Sequence, residues 1–358
     1  MTGLAEVFAG KRVLVTGHTG FKGSWATLWL SRLGAEVWGL SLPPEASPNL
    51  FDLLPPLPAG RSFLSDIRDR DAVTEVVTGC RPDIVLHLAA QPLVRRSYGQ
   101  PVETFAANIM GTIHLLDALR QTPECRVALM VTTDKVYRNI DGTQRFREDD
   151  HLGGHDPYSA SKAAAELVIE SYRSSYFSGG PTKVASARGG NVIGGGDFSE
   201  DRLVPDIIRA IVAERRPSIR NPASTRPWQH VLDCLGGYLH YIAALATRPN
   251  PPTALNIGPR PDQRDMPVGE VVRAMLRALG RPADWLEEPT SLLPEKATLS
   301  LDPSRATATI GWSAVWDFPT AIEQTAKWYE TWHAGGDVVS LMHRQIEAYE
   351  RSECAHDR

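Results

Sequence analysis

The segment YSASK at 158–162 places a phenol and an amine four residues apart. On a helix, that spacing puts Tyr158 and Lys162 on one face. A fixed ammonium group favours the phenolate, so it draws the pKa of a tyrosine down from about 10 towards neutral pH. Such a tyrosine can take the proton from a sugar hydroxyl, which is the chemistry of alcohol oxidation. The alternative is an ordinary helix N-terminus, with Pro157 at its start and both side chains exposed.

A glycine-rich turn lies well upstream of this segment. The residues RVLVT at 12–16 are typical of a strand buried on both faces, and GHTGFKG at 17–23 follows directly. Apolar residues then recur at helical spacing from Trp25 to Leu33, and residues 36–42 predict the next strand. The glycines let the backbone turn tightly and approach a pyrophosphate, whose charge then lies at a helix N-terminus. We therefore expect a dinucleotide-binding βαβ unit rather than a purely structural turn.

One part of the usual dinucleotide site is missing. An acidic residue about 20 positions beyond the glycines normally binds the adenosine ribose. Here the second strand ends in Ser41, Leu42 and Pro43, and a pair of prolines separates Glu45 from that strand. The sequence therefore leaves the choice between NAD and NADP open and predicts a modest affinity for the dinucleotide.

The first half of the chain alternates predicted strands and helices. Residues 83–88, 127–132 and 184–188 predict further buried strands, and residues 108–119 predict a helix with one apolar face. This alternation predicts an α/β fold with a doubly wound parallel sheet of the Rossmann type, which binds ligands at the carboxyl ends of its strands. Four segments begin where a predicted strand ends and should share one cleft: Gly17, Ala89-Ala90-Gln91, Thr132-Thr133-Asp134 and Gly189-Gly190-Asn191.

The composition changes after Arg188. A glycine-dense loop at 189–197 is followed by a predicted helix at 203–212 and by a proline-marked stretch rich in arginine. We expect a nucleotide-binding domain over residues 1–188 and a mainly substrate-binding domain over 189–358, with the chain returning to the first domain near 231–258. Most of these arginines are typical of a solvated surface. Arg226 is the exception, because Trp228 lies beside it and could stack on a ligand whose phosphate the guanidinium binds.

Composition excludes several classes of function. The 358-residue chain has a net charge of -4 and lacks the basic runs of nucleic-acid-binding proteins. Its four cysteines lack metal-site spacing and favour a reducing compartment. No apolar stretch approaches the roughly 20 residues of a membrane span, and the N-terminus does not read as a signal peptide. We expect a soluble cytoplasmic protein without a metal, since His151 and His155 stand near acidic residues without a further ligand cluster.

Several longer blocks resemble one enzyme family. They are HLAAQPLVRRSY at 87–98, TTDKVY at 132–137, EDDHLGGHDPYSASK at 148–162, GGNVIGGGD at 189–197 and RPWQHVLD at 226–233. With the glycine turn, they resemble the extended short-chain dehydrogenase/reductase family and, within it, the nucleotide-sugar 4,6-dehydratases of the branch that acts on CDP-glucose.

This resemblance implies NAD as cofactor and a nucleotide hexose as substrate. Enzymes of this kind oxidise the hexose at C4, eliminate water across C5 and C6, and return the same hydrogen to C6, which gives a 4-keto-6-deoxy sugar. The C4 ketone acidifies the C5 proton and so brings the elimination within reach of ordinary side chains. The resemblance also implies deoxysugar supply for surface polysaccharide, and a homodimer whose four-helix bundle is formed by residues 108–119 and 159–177.

The resemblance also implies a role for each catalytic residue. Tyr158 takes the proton of the C4 hydroxyl, Lys162 holds the nicotinamide ribose and lowers the pKa of Tyr158, and Thr133 binds the C4 oxygen. Asp134 is the acid for the departing hydroxide. Most relatives that act on dTDP-glucose carry a glutamate next, as the C5 base, whereas this chain has Lys135. That lysine is the base, a cation that stabilises the enolate, or a partner of Asp134.

The remaining implied contacts divide between cofactor and substrate. The cofactor contacts are Gly17, Thr19, Gly20, Phe21, Lys22, Gly23, Asp66, Ile67, Leu88, Ala89, Ala90, Gln91, Asn108, Thr132, Tyr158 and Lys162. The substrate contacts are Gln91, Thr133, Asn191, Arg202, Arg220, Arg226 and His230. A histidine at a strand end is more often packed and neutral than catalytic, which applies to His18, His87 and His230.

Other functions stay open at this point. A nucleotide-sugar 4-epimerase, or a 4,6-dehydratase for another nucleotide glucose, would share Tyr158 and Lys162. An epimerase, however, needs no acid such as Asp134 for a departing hydroxide. A non-catalytic dinucleotide sensor would typically lose the tyrosine or the lysine, and this chain has both.

Overall fold

The computed structural model describes residues 3–142, 144–288 and 296–356. Its strands are β1 (Arg12–Thr16), β2 (Glu36–Ser41), β3 (Ser62–Leu64), β4 (Ile84–His87), β5 (Val127–Thr133), β6 (Lys183–Gly189), β7 (Asn191–Ile193), β8 (Ser218–Ile219), β9 (Thr225–Arg226), β10 (Trp228–His230), β11 (Ala254–Ile257), β12 (Met266–Pro267) and β13 (Leu286–Glu287).

The helices are numbered in chain order in the same way. They are α1 (Leu4–Phe8), α2 (Phe21–Arg32), α3 (Arg70–Cys80), α4 (Val94–Gly99), α5 (Pro101–Phe105), α6 (Gly111–Leu119), α7 (Pro157–Tyr172), α8 (Leu203–Val212), α9 (Val231–Thr247), α10 (Val268–Ala278), α11 (Ser304–Ile310), α12 (Phe318–His333) and α13 (Val338–His356). None of the helices in these described ranges is long and apolar enough to cross a membrane.

Seven of the strands form one parallel sheet in the order β11-β6-β5-β4-β1-β2-β3. The predicted doubly wound parallel sheet is therefore confirmed. Successive residues of β1 face opposite sides, because strand side chains alternate. Val13 and Val15 join the core on one side of the sheet, and Leu14 joins the core on the other.

The helix α7 begins at a clear start signal. Asp156 caps it by accepting a hydrogen bond from the amide of Ser159 at 2.9 Å, and Pro157 occupies the first position. Tyr158 therefore lies in the first turn of the helix, and Lys162 follows one turn later. Both side chains are buried against the end of β5 rather than exposed.

The helical stretch from α5 to α6 contains a π-helical turn, Ala106–Met110. A π turn inserts one residue into the helix and shifts the direction of the side chains that follow. Asn108 lies in this turn and is buried, with an exposed fraction of 1%. The sequence pattern of residues 108–119 predicts the helix but not this turn.

The later part of the chain also contributes to the large sheet and its helical layer. After the predicted boundary, α9 packs against α2 and β11 pairs with β6, so this part of the chain rejoins the large sheet. The helix α13 contacts α2, since Trp29 Nε1 donates to Glu350 Oε1 at 3.0 Å and Arg32 pairs with the same glutamate. The division into domains at 188 and 189 stays a prediction.

Candidate active site

A cleft of about 1690 Å³ lies at the carboxyl ends of the sheet strands. The structure brings together at this cleft most of the residues that the sequence predicts: Gly17, Thr19, Gly20, Phe21, Lys22, Gly23, Asp66, Ile67, Leu88, Ala89, Ala90, Gln91, Thr132, Thr133, Lys135, Tyr158, Lys162, Asn191, Arg202, Arg220 and Arg226.

The turn after β1 has the geometry of an anion site. Gly17 has a φ of 75°, and a Cβ at this position would lie 2.8 Å from the amide nitrogen of Ala89. A Cβ on Gly23 would lie 2.0 Å from the carbonyl oxygen of Gly17, so α2 packs directly on the turn. The N-cap of α2 is Gly20, which has no side chain to bind the first amides of the helix. These amides point to a ligand with phosphate charge.

The end of β2 lacks the carboxylate that usually binds the adenosine ribose. The hydroxyl of Thr19 donates to the carbonyl of Leu42 at 2.8 Å, just past the end of β2. Glu45 instead pairs with Arg96 at 2.6 Å. Asp66 lies at the cleft, where its hydrogen bond with Arg68 lowers the pKa of the carboxyl group.

Tyr158 and Lys162 face the cleft from α7. Burial raises the pKa of Tyr158 to about 12, although its hydrogen bond with Thr133 and the charge of Arg202 act in the opposite direction. Burial lowers the pKa of Lys162 to about 8, and the charge of Lys22 lowers it further. The expected fall in the pKa of Tyr158 is therefore absent from the protein alone, because desolvation of the phenolate outweighs its stabilisation.

Asp134 and Lys135 form an ion pair at the start of a short 3₁₀ turn after β5. Asp134 is fully buried, and its Oδ1 accepts hydrogen bonds from Thr133 Oγ1 at 2.9 Å and from Lys135 Nζ at 3.0 Å. Lys135 Nζ also donates to Asn191 Oδ1 at 3.3 Å. The side-chain oxygen of Asn191, a predicted substrate contact, thus holds the lysine.

Three predicted arginines line the substrate side. Arg202 lies 3.7 Å from Asp197, and Arg220 donates to Asp201 at 3.1 Å. Arg226 is largely buried, and its Nη1 donates to the carbonyl of Thr225 at 2.8 Å. Guanidinium groups at the mouth of a cleft can bind the phosphates of a nucleotide.

Comparison with known proteins decides the family. Residues 13–258 match the model of the NAD dependent epimerase/dehydratase family. The chain belongs to this family. The resemblance that the sequence motifs indicate is therefore confirmed.

Individual relatives agree with this assignment. The CDP-glucose 4,6-dehydratase of Salmonella typhimurium is 41% identical over 346 residues, which cover 95% of this chain and 96% of that protein. A UDP-glucose 4-epimerase of Thermus thermophilus, solved with NAD, is 27% identical with a TM-score of 0.76, and the match covers 89% and 99% of the two chains. The dTDP-glucose 4,6-dehydratase DesIV of Streptomyces venezuelae, solved with NAD and TYD, is 23% identical with a TM-score of 0.79 over 92% and 99%. This last likeness shows the fold.

Two predicted contacts of this family member do not lie at the cleft. Asn108 sits behind it, where its side chain bonds both the amide and the carbonyl of Gln91 and donates to Ser161 Oγ at 2.8 Å. His230 is fully buried, and its Nδ1 accepts the amide of Leu232 at 3.2 Å as the cap of α9. Both residues therefore support the site from behind. Asp134 also lies just outside the cleft lining and reaches it through Lys135 and Thr133.

Sequence reasoning missed two sets of charged residues. Arg95 and Arg96 on α4 form ion pairs with Asp201 and Glu200 across the mouth of the cleft. A second pair joins Glu166 on α7 to Arg188 on β6, where both are buried. The second pair had a signal in the sequence, since Glu166 lies four residues after Lys162 and so on the same helical face.

The histidines near the motifs are packed and neutral. Burial lowers the pKa of His18 to about 4 and the pKa values of His87 and His230 to about 3. His87 Nδ1 forms a hydrogen bond with Thr16 Oγ1 at 2.7 Å, which links the ends of β4 and β1.

His87→Gln should flatten the acid side of the stability profile. In the folded protein the pKa of His87 lies below its ordinary value of 6.5. Below pH 6.5 only the unfolded chain gains the proton, so stability is lost as the pH falls. One such histidine contributes a slope of about 1.4 kcal/mol per pH unit between roughly pH 6 and 4. Denaturant unfolding at several pH values measures how the free energy of unfolding depends on pH. In the variant this slope should be smaller by the contribution of one histidine.

His333→Gln is the matched control, because His333 is exposed and should leave the slope unchanged. Buried Asp233, whose pKa burial raises to about 7, titrates in the same window with the opposite sign. Its contribution is common to all the variants and cancels in the comparison. Equal slopes for His87→Gln and the parent protein would contradict the assignment.

Proposed function

We propose that this protein is a hydro-lyase that uses NAD to convert CDP-glucose to CDP-4-keto-6-deoxyglucose. The observation that carries the proposal is the Asp134–Lys135 pair, which lies 3.0 Å apart beside the Thr133–Tyr158 hydrogen bond. Asp134 and Lys135 supply the acid and the base for elimination. Tyr158 supplies the base for oxidation. The choice of CDP-glucose rests on the 41% identical relative of that activity.

The residues at the glycine turn fit NAD. The uncapped amides at the start of α2 and the close approach of Gly17 to Ala89 suit a pyrophosphate, and Lys162, which lines the same cleft, would hold the nicotinamide ribose. When bound, NAD would supply the hydride acceptor for the oxidation at C4 and the hydride donor for the return at C6.

Tyr158 starts the reaction by accepting the proton of the C4 hydroxyl. Burial keeps the phenol neutral, so each added positive charge at the cleft lowers its pKa and increases the fraction present as phenolate, the form that accepts the proton. Lys162 contributes such a charge when it is protonated. Thr133 donates to Asp134 and bonds Tyr158, which orients the phenol towards the sugar.

Asp134 and Lys135 carry out the elimination by sharing one proton. When the proton moves from Lys135 to Asp134, the pair becomes a carboxylic acid beside a neutral amine. The amine then takes the C5 proton. Asp134 lies just outside the cleft lining, so the acid passes its proton to the hydroxyl of Thr133 while that hydroxyl gives its own proton to the hydroxide that leaves C6, and water departs. The pair returns to the carboxylate and ammonium from which it started. An epimerase needs no such acid, which favours dehydration over the epimerase alternative.

The substrate test uses NAD and a panel of glucose nucleotides labelled with deuterium at C4. We expect a 4-keto-6-deoxy product from CDP-glucose with the label at C6, detected by NMR. Tyr158→Phe should reduce this rate about 100- to 10,000-fold, because the general base is lost. Tyr176→Phe, at an exposed tyrosine just beyond α7, is the control. Label that stays at C4, a hexose inverted at C4, or binding of NAD without turnover would overturn the proposal.

The role of Lys135 is tested by Lys135→Arg. Arginine keeps the positive charge and can pair with Asp134, but it does not give up its proton at working pH. We expect no dehydrated product and no solvent deuterium at C5 when the variant is incubated in D₂O, while substrate still increases the absorbance of reduced nicotinamide. Lys183→Arg, at an exposed lysine, should behave as the parent protein. Normal uptake of deuterium at C5 by Lys135→Arg would show that the lysine acts only as a cation.

We also propose a homodimer through the helices 101–119 and 157–177. The two helices pack side by side, and apolar side chains on them remain exposed in the single chain. Val102 and Phe105 have exposed fractions of 73% and 37%, and Leu167 on α7 has 63%. Burying such side chains against a second copy would complete a four-helix bundle.

Light scattering tests this assembly. The parent protein should have twice the mass of one chain, and Phe105→Glu combined with Leu167→Glu should give a monomer, because each carboxylate would be buried at the interface. Val212→Glu is the control, since Val212 is 48% exposed on α8, away from this face. A parent protein that is monomeric, or a double variant that stays dimeric, would contradict the proposed interface.

We place the enzyme in the cytoplasm, in a pathway that makes deoxysugars for surface polysaccharide. Cys80, Cys125, Cys234 and Cys354 are all free thiols, as expected in a reducing compartment. Recovery of the activity outside the cytoplasm on cell fractionation would contradict this location.

A further inference from the structure

Glu166 is a buried carboxylate with no part in the reaction described above. It lies on α7 one turn after Lys162, with an exposed fraction of 5%. Its Oε1 accepts from Thr132 Oγ1 at 2.5 Å, and its Oε2 accepts from Ser186 Oγ at 2.9 Å and Arg188 Nη2 at 2.8 Å. One side chain therefore ties the catalytic helix to both β5 and β6.

Arg188 extends these contacts away from the cleft. Its Nη1 donates to Tyr137 OH at 3.0 Å and to the carbonyl of Glu148 at 2.9 Å. Tyr137 in turn donates to Asn256 Oδ1 on β11 at 2.6 Å. The side chains of Arg188 and Glu166 are 6% and 4% exposed, so the pair depends on these hydrogen bonds for compensation of its burial.

The carboxyl end of β5 is held from the same helix at successive residues. Lys162 Nζ donates to the carbonyl of Val131 at 3.1 Å, and Glu166 accepts from the side chain of Thr132. Thr133, which bonds Tyr158, follows directly. A change at Glu166 is therefore transmitted to the strand residue that orients the phenol.

The groups around Lys162 have opposite effects on its protonation. Burial, and then the charge of Lys22 on α2, disfavour its ammonium form, whereas Glu166 favours it. Other ionisable groups on elements packed around it include Tyr158 on α7, His87 on β4, Asp134 and Lys135 after β5, Arg188 on β6, and Cys234 and Tyr238 on α9.

We propose that Glu166 is a positioning residue that supplies the negative charge required to keep Lys162 protonated and that fixes the end of β5 against α7. The proposal rests on the proposed function only in that a protonated Lys162 holds the cofactor and favours the phenolate. Arg188 balances the carboxylate, so the pair acts on Lys162 without leaving a net buried charge.

The direct test follows the protonation of Lys162 by NMR. The protein without substrate or cofactor is labelled with ¹³C at the ε-carbon of lysine, and the signal that disappears in Lys162→Met is assigned to Lys162. We expect a midpoint near pH 8 in the parent protein. In Glu166→Gln we expect a midpoint lower by about half a pH unit or more, because a nearby negative charge is lost. An unchanged midpoint in a folded variant would overturn the proposal.

Glu170→Gln is the matched control. Glu170 lies one turn further along α7 and pairs with Arg173 at the surface, so its loss should leave the midpoint of Lys162 unchanged. If Glu166→Gln does not fold because Arg188 is left unpaired, the double variant Glu166→Gln with Arg188→Gln carries no unpaired charge. A smaller downward shift is expected from it, because the loss of Arg188 also removes a positive charge that disfavours the ammonium of Lys162. A midpoint that is unchanged or higher than in the parent protein would again overturn the proposal.

The activity profile provides a second readout. In Glu166→Gln the loss of kcat/KM on the alkaline side should begin at a lower pH than in the parent protein, whereas a purely structural role would reduce activity equally at every pH. Failure of the parent protein to dehydrate any glucose nucleotide would sink the proposed function alone. The NMR titration would still decide the role of Glu166.

Discussion

Burial of ionisable side chains at the carboxyl edge of the sheet is the constraint on which this site depends. Desolvation acts on Tyr158 and Lys162 together and favours the neutral form of each. The protein alone therefore holds its base as a phenol and its lysine near the point of losing its proton. Neighbouring charges then decide the state of each group, which makes Lys22, Glu166 and the ligands part of the same electrostatic unit.

The fold meets this constraint by bringing short elements to one edge. The strands β1, β4, β5 and β6 are neighbours in the sheet, so the residues that follow them meet in one cleft. The capped start of α7 places Tyr158 and Lys162 against the end of β5. Asn108, in the π-helical turn before α6, fastens the loop that carries Gln91 to the same helix.

The pair formed by Asp134 and Lys135 gives the site its chemical character. A carboxylate and an amine that share one proton can give a proton to the leaving oxygen on one carbon and take a proton from the next carbon. The net charge of the pair does not change. Such an exchange suits a buried position, where a separated charge would be costly. In the later segment, Arg202, Arg220 and Arg226 all line the cleft, and guanidinium groups there can bind phosphate.

The sequence by itself determined the parallel sheet, the glycine turn and the YxxxK helix, because apolar runs, glycine spacing and helical periodicity are local properties of the chain. It also indicated which strand ends would meet, as parallel strands share one carboxyl edge. Only the tertiary structure decided that His230 caps α9, that Asn108 lies behind the cleft and that burial raises the pKa of Tyr158. The same holds for the pairing of Glu166 with Arg188, 22 residues away along the chain. Burial and long-range pairing depend on how distant segments pack, and no local pattern encodes that packing.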